Sequence, residues 1–147
     1  MSAPAPQQLC NMLLVDDHAI VREGLRRVLD PLTRVWRVLE ASNGFEALEV
    51  LRVQRIALAI VDLSMPGMNG LDLVRRIKAA YPHVLVLVLS MYDEHQYARR
   101  AFKAGANGYV TKDTAANELV AAVRKVLAGG AYVSMHLAER SCPISRR

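Results

Sequence analysis

The stretch ALAIVDLSMPGMNG, residues 57–70, decides the fold. Its first five residues, 57–61, are apolar without a break. A strand with one wet face would alternate, whereas an unbroken run suits a strand buried on both faces of a parallel sheet. The acid Asp62 closes the run. Asn69-Gly70 then leads into a helical pattern over 71–80 that stops ahead of Pro82, because the residue before a proline is driven out of the helical region. Strand, acid, loop and helix make one unit.

The same unit recurs on either side. Apolar runs stand at 12–15, 35–39, 84–89 and 108–110. The helical pattern over 18–29 places Ile20, Val21, Leu25, Val28 and Leu29 on one stripe and is stopped by Asp30-Pro31. That over 45–53 turns Ala47, Leu48 and Leu51 inward, with Ser42 or Asn43 as N-cap. That over 94–104 aligns Tyr97, Ala98, Ala101 and Phe102 and ends at Gly105. That over 114–128 aligns Leu119, Val120, Val123 and Leu127 and ends at Gly129-Gly130. Strand–helix repeated five times predicts an α/β fold with a parallel sheet, right-handed crossovers and helices on both faces.

Composition narrows the class. The chain has 147 residues, 52% hydrophobic and 22% charged, which is one domain plus tails. This excludes a disordered chain, a collagen-like or coiled-coil rod and a disulfide scaffold. Two cysteines, Cys10 and Cys142, make neither a metal cluster nor a staple framework, which fits a reducing, cytoplasmic setting. The net charge of +5 admits an acidic partner, but the positives fall in scattered pairs (Arg26-Arg27, Arg75-Arg76, Arg99-Arg100, Arg146-Arg147) that read as solvated faces. With 5% aromatics, stacking platforms for single-stranded nucleic acid are not expected. No apolar run is long enough to span a membrane. Residues 1–10 read as a flexible arm without the basic start and apolar core of a signal peptide. Residues 11–130 read as the folded domain and 131–147 as a tail with no effector domain.

The informative residues stand at the ends of the strands: Asp16-Asp17 after the first, Asp62 after the third, Ser90 after the fourth and Lys112 just past the fifth. Ligand sites in open α/β sheets lie beyond the carboxyl ends of the strands, so these residues should converge. Taken singly, each has a plainer explanation: a strand-end Asp is usually a turn former or N-cap, and Asp17 could simply cap the first helix. Together their types make chemical sense. Three close carboxylates repel one another unless a hard cation such as Mg2+ joins them. Lys112 and Ser90 can bind phosphoryl oxygens, and a carboxylate can accept a phosphoryl group. Asp62, on the middle strand, is the best acceptor.

The segment from Asp62 to Gly70, with Asp16-Asp17, Ser90 and Lys112, resembles the receiver domain of two-component response regulators over residues 11–130. The string AGANGYVTK, residues 104–112, and the stretch from Gly129 to Ser134 resemble the NarL/FixJ class, whose output domains are LuxR-type. The resemblance implies a flavodoxin-like doubly wound five-stranded parallel sheet of order 2-1-3-4-5. It makes Asp62 the phosphoacceptor for a sensor histidine kinase, and Ser90 and Lys112 the phosphoryl ligands. It places Mg2+ on Asp17, Asp62 and the main-chain carbonyl of Ser64, with Asp16 acting through water. Tyr109 takes the switch-aromatic position; a half-buried strand tyrosine is its plain structural explanation. Pro66 fixes the backbone after the acceptor and Gly70 permits a positive φ. Ser64 and Tyr92 stand where side chains govern water access to the acyl phosphate, and Met91 narrows access for small phosphodonors. The chain is then a phosphoacceptor with at most slow self-dephosphorylation, not an enzyme. A phosphorylation-dependent homodimer is implied, and DNA is reached only through an effector domain outside these residues. The linker-like end favours a receiver cut from a longer regulator over a single-domain one.

Two other classes share part of this residue set. A haloacid-dehalogenase-like phosphatase also uses an aspartate nucleophile, Mg2+ and a lysine, but expects a second acid two residues after the nucleophile, where Ser64 stands. A phosphate-independent receiver-like dimerisation module is the alternative reading, and the complete set of five polar residues weighs against it.

Overall fold

The computed structural model describes residues 10–92 and 95–134. Of the expected N-terminal arm over 1–10, Cys10 belongs instead to the first strand, its amide bonded to the Val35 carbonyl, and residues 1–9 lie outside the described residues, as do Glu94, the tail beyond 134 and Cys142. The elements run β1 (Cys10–Val15), α1 (Ala19–Val28), β2 (Trp36–Ala41), α2 (Gly44–Val53), β3 (Leu58–Asp62), α3 (Gly70–Ala80), β4 (Leu85–Ser90), α4 (His95–Ala104), β5 (Gly108–Thr111), α5 (Ala115–Leu127) and β6 (Tyr132–Val133). All strands pair in parallel, in the order β2-β1-β3-β4-β5-β6. The expected order 2-1-3-4-5 therefore holds, and a sixth strand extends it from what reads in sequence as a linker.

Strand pleating explains why the apolar runs are continuous. Leu13, Val15, Ala59, Val61, Val86, Val88 and Tyr109 face one side and pack with α2, α3 and α4. Met12, Leu14, Leu58, Ile60, Leu87, Leu89 and Val110 face the other and pack with α1 and α5. Successive side chains point to opposite faces, so covering both faces demands apolar residues at every position.

One local reading is corrected and one is narrowed. Ile20 is not part of the buried stripe of α1; it is 84% exposed. The inward residues are Val21, Leu25, Val28 and Leu29, spaced i, i+4, i+7 and i+8, and Ile20 lies one residue, about 100°, off that line. Of the two cap candidates for α2, Asn43 is the N-cap, its side chain accepting from the Glu46 amide, while Glu46 reaches back to the amide and hydroxyl of Ser42.

Candidate functional site

Parallel pairing aligns the carboxyl ends of the strands, and this brings the separated polar residues together. Val15 is in register with Val61, and Asp62 with Leu89, while Ser90 pairs with Thr111. Asp16 leaves β1 with its amide bonded to the Ala41 carbonyl at 3.1 Å. Lys112 begins the turn after β5.

Lys112 is the centre of the cluster. Its Nζ lies 3.2 Å from Asp16 Oδ2 and 3.1 Å from Asp62 Oδ1. Asp16 Oδ1 accepts the His18 amide at 2.9 Å, and Asp62 Oδ1 accepts the Ser64 amide at 3.1 Å. Asp16, Asp62 and Ser90 are buried, while Asp17 and Lys112 are half-buried and Ser64 is exposed. Asp62 Oδ2 and Asp17 Oδ1 are buried and accept no hydrogen bond. Burial, then the neighbouring Asp16 carboxylate, push the Asp62 carboxyl above the usual carboxylate range, outweighing Lys112 and the Ser64 amide. Burial pulls the Lys112 ammonium down, but the two carboxylates together outweigh it and leave it raised.

The loop after Asp62 is shaped by glycines, though not in the expected way. Gly67, not Gly70, carries the positive φ, at 81°. Gly70 is needed for a different reason. A Cβ there would stand 2.6 Å from the Asp62 carbonyl oxygen and 2.6 Å from Leu63 Cα, so only glycine lets the start of α3 lie against the end of β3. Asn69 caps α3 by accepting the Asp72 amide at 2.9 Å.

Ser90 and Tyr109 meet at Tyr92. Ser90 Oγ accepts the Tyr92 amide at 2.9 Å, and the Tyr109 hydroxyl donates to the Tyr92 carbonyl at 2.6 Å. Tyr109 is already fully buried against the α3–α4 side, so its inward position needs no prior opening. The Tyr92 ring stacks on Tyr97 of α4 at 4.4 Å, and the Arg100 guanidinium lies over Tyr97. Met91 is 74% exposed and, with His18, Val21, Lys112 and Asp113, lines a groove of about 510 Å³ beside the cluster. Sequence reasoning missed His18 and Arg22. His18 Nδ1 lies 3.1 Å from Asp17 Oδ1 and 3.5 Å from Asp16 Oδ1. Arg22 joins the Asp16 carbonyl to Glu40. The only available signal was their place, within six residues of Asp16 on α1.

A buried acid pair bridged by one lysine at the carboxyl edge of a five-helix, parallel α/β sheet defines a receiver-type site. The chain belongs to the response regulator receiver domain family, whose model matches residues 12–124. Within it the chain is close to receivers of the NarL/FixJ type. It is 36% identical over 132 residues to the response regulator UvrY of Escherichia coli, covering 90% of this chain and 61% of that one. It is 34% identical to the response regulator GacA of Pseudomonas protegens, at 90% and 62% coverage. The chain thus spans about three fifths of the length of these curated relatives. A LuxR-family two-component response regulator from Aurantimonas sp. superposes with a TM-score of 0.83 at 35% identity, covering 90% of this chain and 94% of that one. The isolated receiver of RcsB from Salmonella enterica, solved with the phosphomimetic BeF3-, gives 0.82 at 25% identity, with 90% and 98% coverage. No described helix is long and apolar enough to cross a membrane.

Proposed function

We propose that Asp62 accepts a phosphoryl group from the phosphohistidine of a sensor histidine kinase. A carboxylate oxygen of Asp62 forms the O–P bond as the donor N–P bond breaks, and the electron pair returns to the imidazole. The observation that carries this reading is the Lys112 bridge between Asp16 and Asp62, beside an Asp62 oxygen with no donor. Lys112 holds a positive charge where phosphoryl oxygens gather and, with Ser90, binds them once the acyl phosphate has formed. The likeness to the RcsB receiver, a structure obtained in the presence of the phosphomimetic BeF3-, supports this reading.

The donor set fits a Mg2+ ion. Asp17 and Asp62 each carry a buried oxygen without a hydrogen bond, and hard carboxylates are the ligands Mg2+ takes. Asp17, Asp62 and the Ser64 carbonyl would hold it, with Asp16 through water. It supplies charge neutralisation for the transferring group. The protein acts as a phosphoacceptor with at most slow self-dephosphorylation rather than a turnover enzyme, in the cytoplasm.

Phosphorylation adds charge and acceptor oxygens next to Ser90. Drawing Ser90 Oγ toward them competes with its bond to the Tyr92 amide, and Tyr92 is also what Tyr109 holds. The response is therefore relayed to α4, β5 and α5, and this surface, or α1 with α5, forms the contact of a phosphorylation-dependent homodimer. In the longer regulator, transcription is reached through a DNA-binding output domain.

The test is incubation with Mg2+ and acetyl phosphate beside an Asp62→Asn variant, read by intact mass. One phosphoryl adduct on the parent and none on the variant is expected. A folded, Mg2+-binding parent that takes no adduct would favour the phosphate-independent dimerisation module or a strict need for the cognate kinase.

A further inference from the structure

We infer that His18 is a third metal-facing side chain of the acidic pocket, and that it tilts the cation preference of the site from Mg2+ toward Mn2+. The inference rests on the reading above that the pocket holds a cation. One ligand atom each from Asp16, Asp17 and His18 lies within 4.8 Å of the others. Around an octahedral ion with bonds of about 2.1 Å, adjacent ligand atoms stand about 3 Å apart and opposite ones about 4.2 Å. The His18 Nδ1 distance to Asp17 Oδ1, 3.1 Å, matches the adjacent spacing, and Asp16 Oδ1, which reaches the ion through water, stands 3.5 Å from Nδ1.

An ordinary ion pair accounts for the arrangement less well. Asp17 Oδ1 is buried and accepts no hydrogen bond, although Nδ1 is only 3.1 Å away. The two atoms are near each other without being aligned as donor and acceptor. Asp62 Oδ2, on a side chain 1% exposed, likewise has no donor. Nor is the imidazole occupied elsewhere by helix capping: His18 is the N-cap of α1 with no side-chain cap bond, and its backbone amide is anchored on Asp16. The ring is therefore placed by the backbone, with Nδ1 turned to the acids. Mg2+ takes oxygen ligands and keeps its waters, so an imidazole adds little to its binding. First-row divalent ions accept imidazole nitrogen, and their affinities for mixed nitrogen and oxygen sites rise along the series from Mn2+.

The experiment uses the full 147-residue chain, His18→Ala and Asp17→Asn, titrated calorimetrically with Mg2+ and with Mn2+. Bound Mn2+ is also probed by pulsed electron paramagnetic resonance for coupling to nitrogen. His18 is 66% exposed, so its replacement leaves the core intact, and thermal melts verify this. His18→Ala should weaken Mn2+ about tenfold or more and Mg2+ less than about twofold, with the nitrogen coupling lost. Asp17→Asn should weaken both ions. Mg2+ binding that depends on Asp17, together with equal effects of His18→Ala on both ions or no nitrogen coupling in the parent, overturns the role of His18 alone. Absence of binding by either ion in the parent overturns the cation reading and this inference together.

Discussion

The lysine and the amide that touch Asp62 both sit on one oxygen, Oδ1, and leave the other without a donor. Burying a carboxylate with half its hydrogen-bonding capacity unused costs stability. Its raised pKa gives the sign. The folded state binds the Asp62 proton more tightly than the unfolded state, so the favourable contribution is present at low pH. It is lost as pH rises from the ordinary carboxylate range through the folded value, and at neutral pH the net effect is destabilising. Asp62→Asn should therefore raise the Tm at pH 7 by roughly 2–4 °C, equivalent to about 1 kcal/mol, while Lys112 keeps Asp16 as partner. The gain should shrink as the melts are repeated toward pH 4, and Mg2+ should stabilise the parent more than the variant. A variant melting below the parent at pH 7 would contradict this account. The same residue shows why the site was legible in sequence. Asp16, Asp62, Ser90 and Lys112 each close a recognisable apolar run, and parallel pairing does the rest. His18 closes no run; only its backbone angle at the start of α1 turns its ring toward the acids.

At the scale of elements, the three nearly continuous apolar runs could be read because burial on two faces leaves few polar positions. The boundaries moved by at most two residues, since strand ends are set by pairing partners rather than by side-chain character. β6 was illegible for the same reason. Two residues carry no period, and their strand conformation comes from lying beside Gly108 and Tyr109. Gly70 was located correctly in sequence, but the reason for it emerged only from packing. Gly70→Ala forces the start of α3 off the end of β3 and should cost ~3 kcal/mol, lowering the Tm by roughly 10 °C. Thermal unfolding checks it, and a shift under 2 °C would mean that the loop yields freely. β6 has its own titration. The Tyr132 hydroxyl donates to Glu118 at 2.8 Å, and burial, followed by the Glu118 interaction, pushes its pKa up to about 12. Its contribution is fully present below the ordinary tyrosine pKa of about 10 and is lost as pH rises toward 12. Stability measured between pH 9 and 12 should fall more steeply for the parent than for Tyr132→Phe.

For the whole molecule, regulation depends on how a change at one edge of the sheet reaches an outer face. The path runs from Ser90 through both backbone groups of Tyr92 to Tyr109, and outward through the Tyr92–Tyr97 stack to α4. Tyr109→Ala removes the group that holds the Tyr92 carbonyl while leaving Asp62, Ser90 and Lys112 in place. It should keep phosphorylation stoichiometry by mass but abolish phosphate-dependent association in sedimentation velocity; Tyr109→Phe, which loses only the hydroxyl, should fall between the two. Unchanged association in the Ala variant would redirect attention from this path. The sixth strand adds a mechanical consequence. β6 runs parallel to β5, so the chain passes residue 134 at the same rim of the sheet that carries the acidic cluster. There the Ser134 hydroxyl accepts the Thr111 amide at 2.8 Å, and the Ser134 amide donates to the Tyr109 carbonyl at 2.9 Å. Traction on the chain along the strand axis loads this seam in shear rather than peeling it bond by bond. In the opposite direction, an axial slip of β5 is passed to the departing chain as displacement, with Lys112 one residue from the fulcrum.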